Sequence, residues 1–347
     1  MESSPLRRRW FFIGMIGVAG LVGVIAGGAI GGHYRFTRPD PTRIETRVLI
    51  AKGSGISGIL RELKTHGILT TPLDSVIILA AASQLYSSLK AGEYLFPAGS
   101  SLQDIVARMA RGDVIVRRIV LAEGLTSAEM MTLLQQAEGT EGTVADLPPD
   151  GSLLPETYHY SWGDQRETLV ARMHTAITET LDALWRDRAP DAPQDQRQAV
   201  ILASIVEKET GLEHERPRIA GVFLNRLRLG MKLQSDPTVF YGLQGVEPRN
   251  GPRDRSLTKA DLAHSSPYNT YLVEGLPPGP ICNPGKAALW AVLHPERTDA
   301  LYFVADGTGG HVFAPTLADH NRNVARWRTI ERERRNAASL EAADPGK

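Results

Sequence analysis

One stretch of the chain carries an almost continuous run of apolar residues. From Ala199 to Val206 nearly every position is apolar, which predicts a helix buried on all sides rather than half exposed. Asp195 or Gln196 is expected to begin this helix, and Gly211 to end it, because glycine adopts the left-handed conformation that closes many helices. A second, amphipathic helix is expected to follow, ending near Arg228. This pair forms the predicted centre of a domain.

A second apolar run lies near the amino end. Residues 10–32 are uncharged and follow three arginines at positions 7–9. The run is long enough to cross about 30 Å of hydrocarbon. Arginines before a membrane span favour a cytoplasmic amino end, so we expect a cytoplasmic tail over 1–9, an anchor over 10–32 and an exported remainder. A cleaved signal peptide is the alternative, because small residues near Ala26–Gly28 are compatible with cleavage.

Short apolar segments then alternate between the strand and helix periods. Residues 33–43 are expected to be a linker, because Pro39 and Pro41 block regular structure. Residues 44–121 are expected to form a small α+β module, which contains no concentrated polar set suited to chemistry. Its predicted strands are Thr46–Ala51, Ala91–Phe96 and Val114–Leu121, and its predicted helices are Ile56–His66, Leu73–Leu85 and Ser101–Arg111.

Residues 122–340 are expected to form a larger domain of mixed α+β type, followed by a tail over 341–347. A capping box is expected at Thr126 or Ser127 with Glu129. Gly230–Gly242 is predicted to be a polar turn, because polar residues surround Pro237. The other predicted elements are helices at Glu123–Ala137, Glu167–Asp187, Thr258–Ala263, Lys286–Leu293 and beyond Thr316, a loop at Asn250–Arg255, and a hairpin of Leu301–Ala305 with His311–Phe313.

Aromatic and proline residues are concentrated in two segments. Tyr158, Tyr160 and Trp162 either form a stacking wall for sugar rings or fill the joint between two elements. The segment Gly275–Gly285 contains four prolines, which predicts a stiff, extended loop. Such a loop either presents backbone groups to a polymer or serves as a connector.

The composition excludes several classes of function. Lys+Arg and Asp+Glu are both 39, so the formal net charge is zero, and nucleic-acid binders usually carry a basic excess. The single cysteine, Cys282, excludes an internal disulfide or a thiolate metal cluster. The sequence Glu213–Arg216 lacks zinc-motif spacing, and no two histidines lie one helical turn apart. We therefore expect neither a metal nor another cofactor.

Two carboxylates, Glu207 and Glu209, end the predicted buried helix. Helical spacing places Glu209 on the same face as Leu202, Ile205 and Val206. An apolar flank and the negative end of the helix dipole both raise the pKa of a carboxyl group. A carboxyl that stays protonated near neutral pH can act as a general acid.

The alternative is that both carboxylates are ordinary helix-end charges. Spacing alone also permits ion pairs with Lys208, Arg216 or Arg218. The residues by themselves leave this choice open.

Several long motifs, in order, resemble the YceG-like endolytic murein transglycosylases (MltG). They are ASIVEKET, LNRLRLGMKLQSDPTVFYG, SPYNTY, GLPPGPICNPG and YFVADGTGGHVF. The resemblance covers nearly all of the expected exported part, and least of all the segment between Arg43 and Val120. It implies a LysM-like module at 44–121, a catalytic domain at 122–340, and cleavage within peptidoglycan glycan strands to give 1,6-anhydro-muramyl ends.

The resemblance also implies the site residues. The catalytic acid of that family is the second glutamate of E-K-E, which is Glu209 here. Analogy with lytic transglycosylases implies that Gln234 and the pair Tyr268–Asn269 bind sugar amides. Ser235, Asp236 and Tyr158 are further candidates for substrate binding.

Two other functions remain open from the sequence. An ordinary muramidase would use a second carboxylate to activate water, for which Glu207, Glu213 and Asp236 are available. A non-catalytic scaffold would bind glycan without cleaving it. The expected partners are glycan strands, with peptidoglycan synthases (penicillin-binding proteins) and division proteins implied by the family, and the expected location is the inner membrane with the catalytic domain in the periplasm.

Overall fold

The computed structural model describes residues 5–85, 89–243 and 256–343 and has a mixed α+β fold. Its helices are α1 Pro5–Thr37, α2 Ile56–Thr65, α3 Pro72–Leu85, α4 Leu102–Arg111, α5 Ser127–Gln136, α6 Arg166–Arg186, α7 Gln196–Glu209, α8 Arg216–Arg228, α9 Asp236–Gly242, α10 Lys259–Leu262, α11 Lys286–Leu293 and α12 Leu317–Ala343. Its strands are β1 Thr46–Ile50, β2 Gly92–Phe96, β3 Arg117–Val120, β4 Thr157–Tyr160, β5 Tyr302–Ala305 and β6 His311–Ala314.

The chain divides into two compact units that are discontinuous in sequence. The first runs through residue 117 and adds residues 138–141 and 159–164, and the second contains residues 118–137, 142–158 and those from 165 onward. The domains predicted from the sequence were contiguous. Parts of the predicted tails, residues 1–4 and 344–347, and the predicted loop Asn250–Arg255 lie outside the described residues.

The first unit is built on an antiparallel pair of strands. β1 and β2 pair so that Thr46 lies opposite Phe96 and Ile50 lies opposite Gly92. Tyr94 and Phe96 are fully buried, and their rings stack with centroids 5.8 Å apart. The amphipathic faces of α2 and α4 cover this sheet, and α4 begins at the capping box that Ser101 forms with Asp104.

Helix α1 corrects the predicted linker over residues 33–43. The helix continues to Thr37 and ends just before Pro39, because a residue preceding proline is disfavoured in helical conformation. Phe36 packs against the core of the first unit, and Arg35 Nε donates to Asp74 Oδ1 at 2.9 Å. These contacts fix the last turn of α1.

The anchor predicted at 10–32 lies within α1. Throughout the residues that the structure describes, we find no helix with both the length and the apolar character needed to cross a membrane.

The second unit is organised around α7. All eight residues from Ala199 to Val206 are at most 9% exposed, as predicted for a helix buried on all sides. Helices α8, α9 and α11 pack against α7, and α6 packs against α11. Asp195 caps the amino end of α7 by accepting a hydrogen bond from the Gln198 amide at 2.8 Å.

The proline-rich loop acts as a brace for α7. The Ile281 amide donates to Ser204 Oγ at 3.0 Å, and the Cys282 thiol donates to the Ser204 carbonyl at 3.3 Å. The Asn283 side chain donates to the Leu125 carbonyl and accepts from the Leu153 amide, both at 3.1 Å. These hydrogen bonds join the loop to α7 and to residues 125 and 153 of the second unit.

Two boundaries near the centre of this unit differ from the prediction. Thr210 ends α7 in extended conformation, and Gly211 is not left-handed. The segment predicted to be a polar turn instead contains α9, because Pro237 fits the first turn of a helix and Thr238 Oγ1 donates back to the Ser235 carbonyl at 2.6 Å.

The remaining strands form two small sheets. β3 pairs with β4, and β5 pairs with β6 in an antiparallel hairpin with Tyr302 opposite Ala314. The hairpin was predicted, whereas strand β4 was not. The expectation of a mixed α+β fold is confirmed.

Candidate active site

Glu209 is the last residue of α7 and is half-buried. Leu202, Ile205 and Val206, which share its helical face, are completely buried. The chain turns into extended conformation at Thr210. The sequence thus places one half-buried carboxyl group at the end of a buried helix.

The environment of Glu209 favours its protonated form. Burial raises its pKa to about 7, although the hydrogen bond donated by the Ser235 hydroxyl to Oε1 acts in the opposite direction. Asp236 raises the pKa further by charge repulsion, and Arg226 lowers it by attraction. The group can therefore both release and accept a proton near neutral pH.

Arg226 is a positively charged residue that acts on Glu209, and backbone carbonyl groups hold its guanidinium in place. Its Nε donates to the Leu301 carbonyl at 2.6 Å, and its Nη1 donates to the Leu233 carbonyl at 2.8 Å. The guanidinium lies over the ring of Tyr302, 5.1 Å from the centroid. Burial lowers its pKa. The sequence offered no signal for this role, because Arg226 was one charge of an amphipathic helix.

Asp236 lies on the exposed side of the site and is oriented by a tyrosine. The Tyr271 hydroxyl donates to Asp236 Oδ1 at 2.6 Å. Burial and this carboxylate raise the pKa of Tyr271, so the phenol remains a donor. Asp236 was predicted as a substrate-binding residue, and its exposure is compatible with that prediction.

Gln234 has an unusual backbone. Its φ of 51° lies in the left-handed region, and its amide donates to the Thr270 carbonyl at 3.1 Å. Left-handed backbone costs a non-glycine residue about 1 kcal/mol or more and is often found at functional sites. The side chain is exposed, so Gln234 remains a candidate for sugar binding.

Glu207 has a structural environment that differs from that of Glu209. Arg216 Nη2 lies 2.7 Å from Glu207 Oε1, and the Gly285 amide donates to Oε2 at 2.9 Å. Burial has the largest effect and raises the pKa of Glu207 above its ordinary value, although the Gly285 amide and Arg216 act in the opposite direction. The helix-end ion pair considered from the sequence is therefore present at Glu207.

Tyr268 and Asn269 lie on one turn but have different surroundings. Tyr268 is half-buried, and its ring packs against Tyr241 with centroids 4.7 Å apart. Asn269 is completely buried, and its amide nitrogen donates to the carbonyls of Leu262 and His264. In this arrangement Asn269 holds its turn and offers no donor to a sugar, because both amide hydrogens are engaged.

The aromatic residues in and after β4 pack within the protein, which was the alternative to a stacking wall for sugar rings. Tyr158 and Tyr160 are each 6% exposed, and Tyr158 donates its hydroxyl to the Leu154 carbonyl at 2.8 Å. Burial raises the pKa of Tyr158 to about 12. Tyr160 donates to the Glu138 carbonyl, and Trp162 packs under the Arg117 guanidinium. Tyr158, predicted to bind substrate, has no exposed ring face for stacking on a sugar.

A buried network next to Glu209 was missed from the sequence. Glu215 accepts hydrogen bonds from the His311 amide at 2.8 Å and from Thr210 Oγ1 at 3.3 Å, and Glu215 Oε2 lies 2.7 Å from His311 Nδ1. This network joins hairpin β5–β6 to the residue that ends α7. Glu215 and His311 lie 96 positions apart, so neither local pattern indicated the contact.

The geometry supports proton transfer by one carboxyl group. Across the described ranges, no group of three or more His, Cys, Asp or Glu side chains is arranged to hold a metal ion. Glu209, with Ser235, Asp236, Arg226 and Tyr271 around it, is a carboxyl group with a pKa suited to proton transfer near neutral pH.

Comparison with known families identifies the same family as the sequence motifs did. The sequence model of the YceG-like family matches residues 48–326. The chain belongs to the YceG-like family. Glu209 and the residues around it lie inside the matched range.

Two bacterial relatives of this YceG-like chain are named endolytic murein transglycosylase. It is 35% identical over 187 residues to the endolytic murein transglycosylase of Bacillus subtilis, covering 54% of this chain and 50% of the relative. It is 28% identical to the endolytic murein transglycosylase of Streptococcus pneumoniae strain R6, covering 86% of this chain and 62% of the relative. The chain thus spans between half and two thirds of the length of these relatives.

A solved structure of a YceG-like protein from Listeria monocytogenes is also similar to this chain. The two are 29% identical, with a TM-score of 0.49, and the match covers 81% of this chain and 99% of the other.

Proposed function

We propose that this protein is an endolytic lytic transglycosylase that cleaves the bond between N-acetylmuramic acid and N-acetylglucosamine within peptidoglycan glycan strands. The observation that carries the proposal is Glu209, a half-buried carboxyl whose pKa is raised to about 7 at the end of a buried helix. Membership of the YceG-like family and relatives named endolytic murein transglycosylase support the choice of substrate.

In the first step, protonated Glu209 donates its proton to the glycosidic oxygen. The bond between this oxygen and the anomeric carbon of N-acetylmuramic acid breaks, and the released sugar keeps the proton as a hydroxyl. Positive charge develops on the muramyl ring in the transition state. The Glu209 carboxylate formed in this step keeps the Ser235 hydroxyl as a donor.

In the second step, the Glu209 carboxylate accepts the proton of the muramyl C6 hydroxyl. The C6 oxygen attacks the anomeric carbon of the same sugar and forms the 1,6-anhydro ring. Glu209 is again protonated, and no water is consumed. Because the nucleophile belongs to the substrate, its proximity supplies much of the rate.

A muramidase is the second candidate, and Asp236 is the observation that favours it. Asp236 is an exposed carboxylate close enough to Glu209 to affect its pKa. A hydrolase needs such a second carboxylate to activate water. The hydrogen bond from Tyr271 and the exposed position of Asp236 suit either water activation or sugar binding.

The products distinguish the two reactions. Purified sacculi are digested with the protein, and the soluble fragments are analysed by mass spectrometry. A lytic transglycosylase gives muramyl ends lighter by one water than the reducing ends made by a muramidase. If only reducing ends were found, the lytic transglycosylase would be rejected in favour of the muramidase.

A substitution of Glu209 tests the alternative of a non-catalytic scaffold. In cells that depend on this protein, Glu209→Gln is expected to abolish function while the protein accumulates normally. Full function of this variant would support a scaffold that binds glycan without cleaving it.

Other parts of the proposal concern the cell. We place the enzyme at the inner membrane with its catalytic unit in the periplasm, where it cuts nascent strands and ends their elongation. A LysM-like module and association with penicillin-binding proteins or division proteins belong to the same proposal. Fractionation and co-purification test these points, and recovery in the cytoplasm without any such partner would contradict them.

A further inference from the structure

A closed ring of hydrogen bonds lies directly behind Glu209. It joins Ser235, Thr238 and Thr270, which are 2%, 0% and 0% exposed. The Ser235 amide donates to Thr270 Oγ1 at 2.9 Å, Thr238 Oγ1 donates to the Ser235 carbonyl at 2.6 Å, and the two threonine hydroxyls lie 2.8 Å apart. Water has little access to any of these groups.

The direction of each hydrogen bond follows from the number of protons. A hydroxyl group has one proton to donate. Thr238 uses its proton on the Ser235 carbonyl, since a carbonyl only accepts. Thr270 must therefore be the donor between the two threonines, and its oxygen still accepts from the Ser235 amide.

This ring uses both backbone polar groups of Ser235 but not its hydroxyl. The hydroxyl proton is free to point at Glu209 Oε1, and the contact between these two oxygens is present in the structure. With Oε1 occupied by this donor, the transferable proton of Glu209 is left for Oε2.

We propose that Ser235 is a positioning residue for the catalytic acid, held in place by Thr238 and Thr270, and that it directs the proton of Glu209 to Oε2. The inference rests on the proposed function and deepens it. It replaces the expectation that Ser235 binds substrate, because the residue is 2% exposed and its hydroxyl contacts Glu209.

The ring also explains why three polar residues are buried beside the acid. A buried hydroxyl without a partner is costly, and here each hydroxyl has one. Among the residues that the structure describes, the other charged or titratable groups acting on Glu209 are Asp236 of α9, Arg226 of α8, and Tyr271 of the loop after α10. None of the three belongs to the ring, so its contribution can be changed separately.

The first test replaces Ser235 by alanine, with soluble uncrosslinked glycan strands as substrate. We expect kcat to fall about tenfold or more, because the acid loses its orientation, with little change in KM. Loss of a donor to the carboxylate raises its pKa, so the alkaline limb of the kcat profile should move to higher pH. A raised KM with unchanged kcat and pH profile would instead make Ser235 a sugar-binding residue and overturn the inference.

The second test changes the ring without touching Ser235 or Glu209. Thr270→Val removes the donor to Thr238 and the acceptor for the Ser235 amide. We therefore expect a lower kcat, and the alkaline limb of the kcat profile should move to higher pH, as in Ser235→Ala. Thr270→Ser retains the hydroxyl and should recover most of the wild-type rate. Equal rates for the valine and serine variants, at equal thermal stability, would overturn the inference even if Ser235→Ala failed to fold.

A matched control is available on the surface of the same unit. The Thr178 hydroxyl donates to the His174 carbonyl on an exposed part of α6. Thr178→Val should leave kcat and its pH profile unchanged, and a shift equal to that of Thr270→Val would count against a specific role for the ring. Failure of the proposed function would appear differently, as a wild-type protein that releases no anhydro-ended products.

Discussion

At the scale of single residues, two glutamates two positions apart have different partners. Glu207 has an arginine partner and a backbone donor, whereas Glu209 has a neutral hydroxyl partner and an acidic neighbour. Charge pairing favours the ionised form of a carboxyl, and burial without a cation in contact favours the protonated form. Burial raises the pKa of both carboxyls, but Arg216 and the Gly285 amide engage the oxygens of Glu207, so Glu209 is the better candidate for a general acid near neutral pH.

The raised pKa of Glu209 has a consequence for stability. A carboxyl whose folded-state pKa lies above its unfolded value stabilises the fold at low pH, and that contribution is lost as pH rises through the folded pKa. For Glu209 the window runs from about 4.5 to about 7. We expect wild type to lose roughly 3 kcal/mol more than Glu209→Gln across this window.

Urea unfolding of both proteins at about pH 5 and about pH 8 measures this difference. Glutamine has the same shape and does not titrate, so it serves as the matched control. Identical pH dependence of the two proteins would mean that Glu209 titrates like an ordinary exposed carboxyl.

The site could be predicted from the sequence only where local spacing determines it. The apolar face beside Glu209 follows from residues three, four and seven positions before it. The partnership of Thr238 with Thr270 spans 32 positions, and that of Glu215 with His311 spans 96. Contacts of this kind depend on tertiary packing, and the periodicity of helices and strands gives no information about residues so far apart in sequence.

At the scale of elements, α7 is held at its end by Glu207 as well as by apolar packing. Glu207 joins Arg216 at the start of α8 to the Gly285 amide that precedes α11. Glu207→Ala leaves the buried Arg216 with Glu123, 3.5 Å away, as its remaining counter-charge within the described ranges. We expect a loss of about 3 kcal/mol in the free energy of unfolding.

Glu213→Ala is the control for this loss, because Glu213 is an exposed acid in the turn between α7 and α8. Its effect should stay within about 0.5 kcal/mol. If Glu207→Ala were as mild as Glu213→Ala in urea unfolding, the bracing role of Glu207 would be refuted.

Helix α8 approaches the backbone of residues 295–298 at a glycine. A Cβ at Gly221 would lie 2.4 Å from the Glu296 carbonyl oxygen. Alanine normally stabilises a helix relative to glycine by about 1 kcal/mol. Here we expect Gly221→Ala to destabilise the protein by about 1–3 kcal/mol, because the backbone must shift.

Thermal unfolding of Gly221→Ala checks this expectation against Gly211→Ala. An added Cβ at Gly211 meets nothing within 4 Å, and its φ is not left-handed. Gly211→Ala should be neutral or slightly stabilising. A stabilised Gly221→Ala protein would show that α8 is free to move away from Glu296.

At the scale of the whole molecule, each of the two units has its own apolar core. The alternation of short strands and helices predicted the mixed α+β class, and the capping box with Glu129 lies at Thr126, one of its two predicted positions. Residues 138–141 and 159–164 belong to the first unit although the segments around them belong to the second, and this could not be predicted from the sequence. They depend on contacts such as the donation from Gly163 to the Gly139 carbonyl at 2.7 Å, far from any periodic pattern.

The central claim is that one proton-carrying carboxyl at the end of a buried helix cuts glycan strands. Its most direct test is the release of anhydro-ended fragments from purified sacculi by wild type and by Glu209→Gln, with folding of both confirmed by thermal unfolding. We expect wild type to release these fragments, with a rate that falls above about pH 7, and folded Glu209→Gln to release none. Release of the same fragments by the glutamine variant at the wild-type rate would contradict the account.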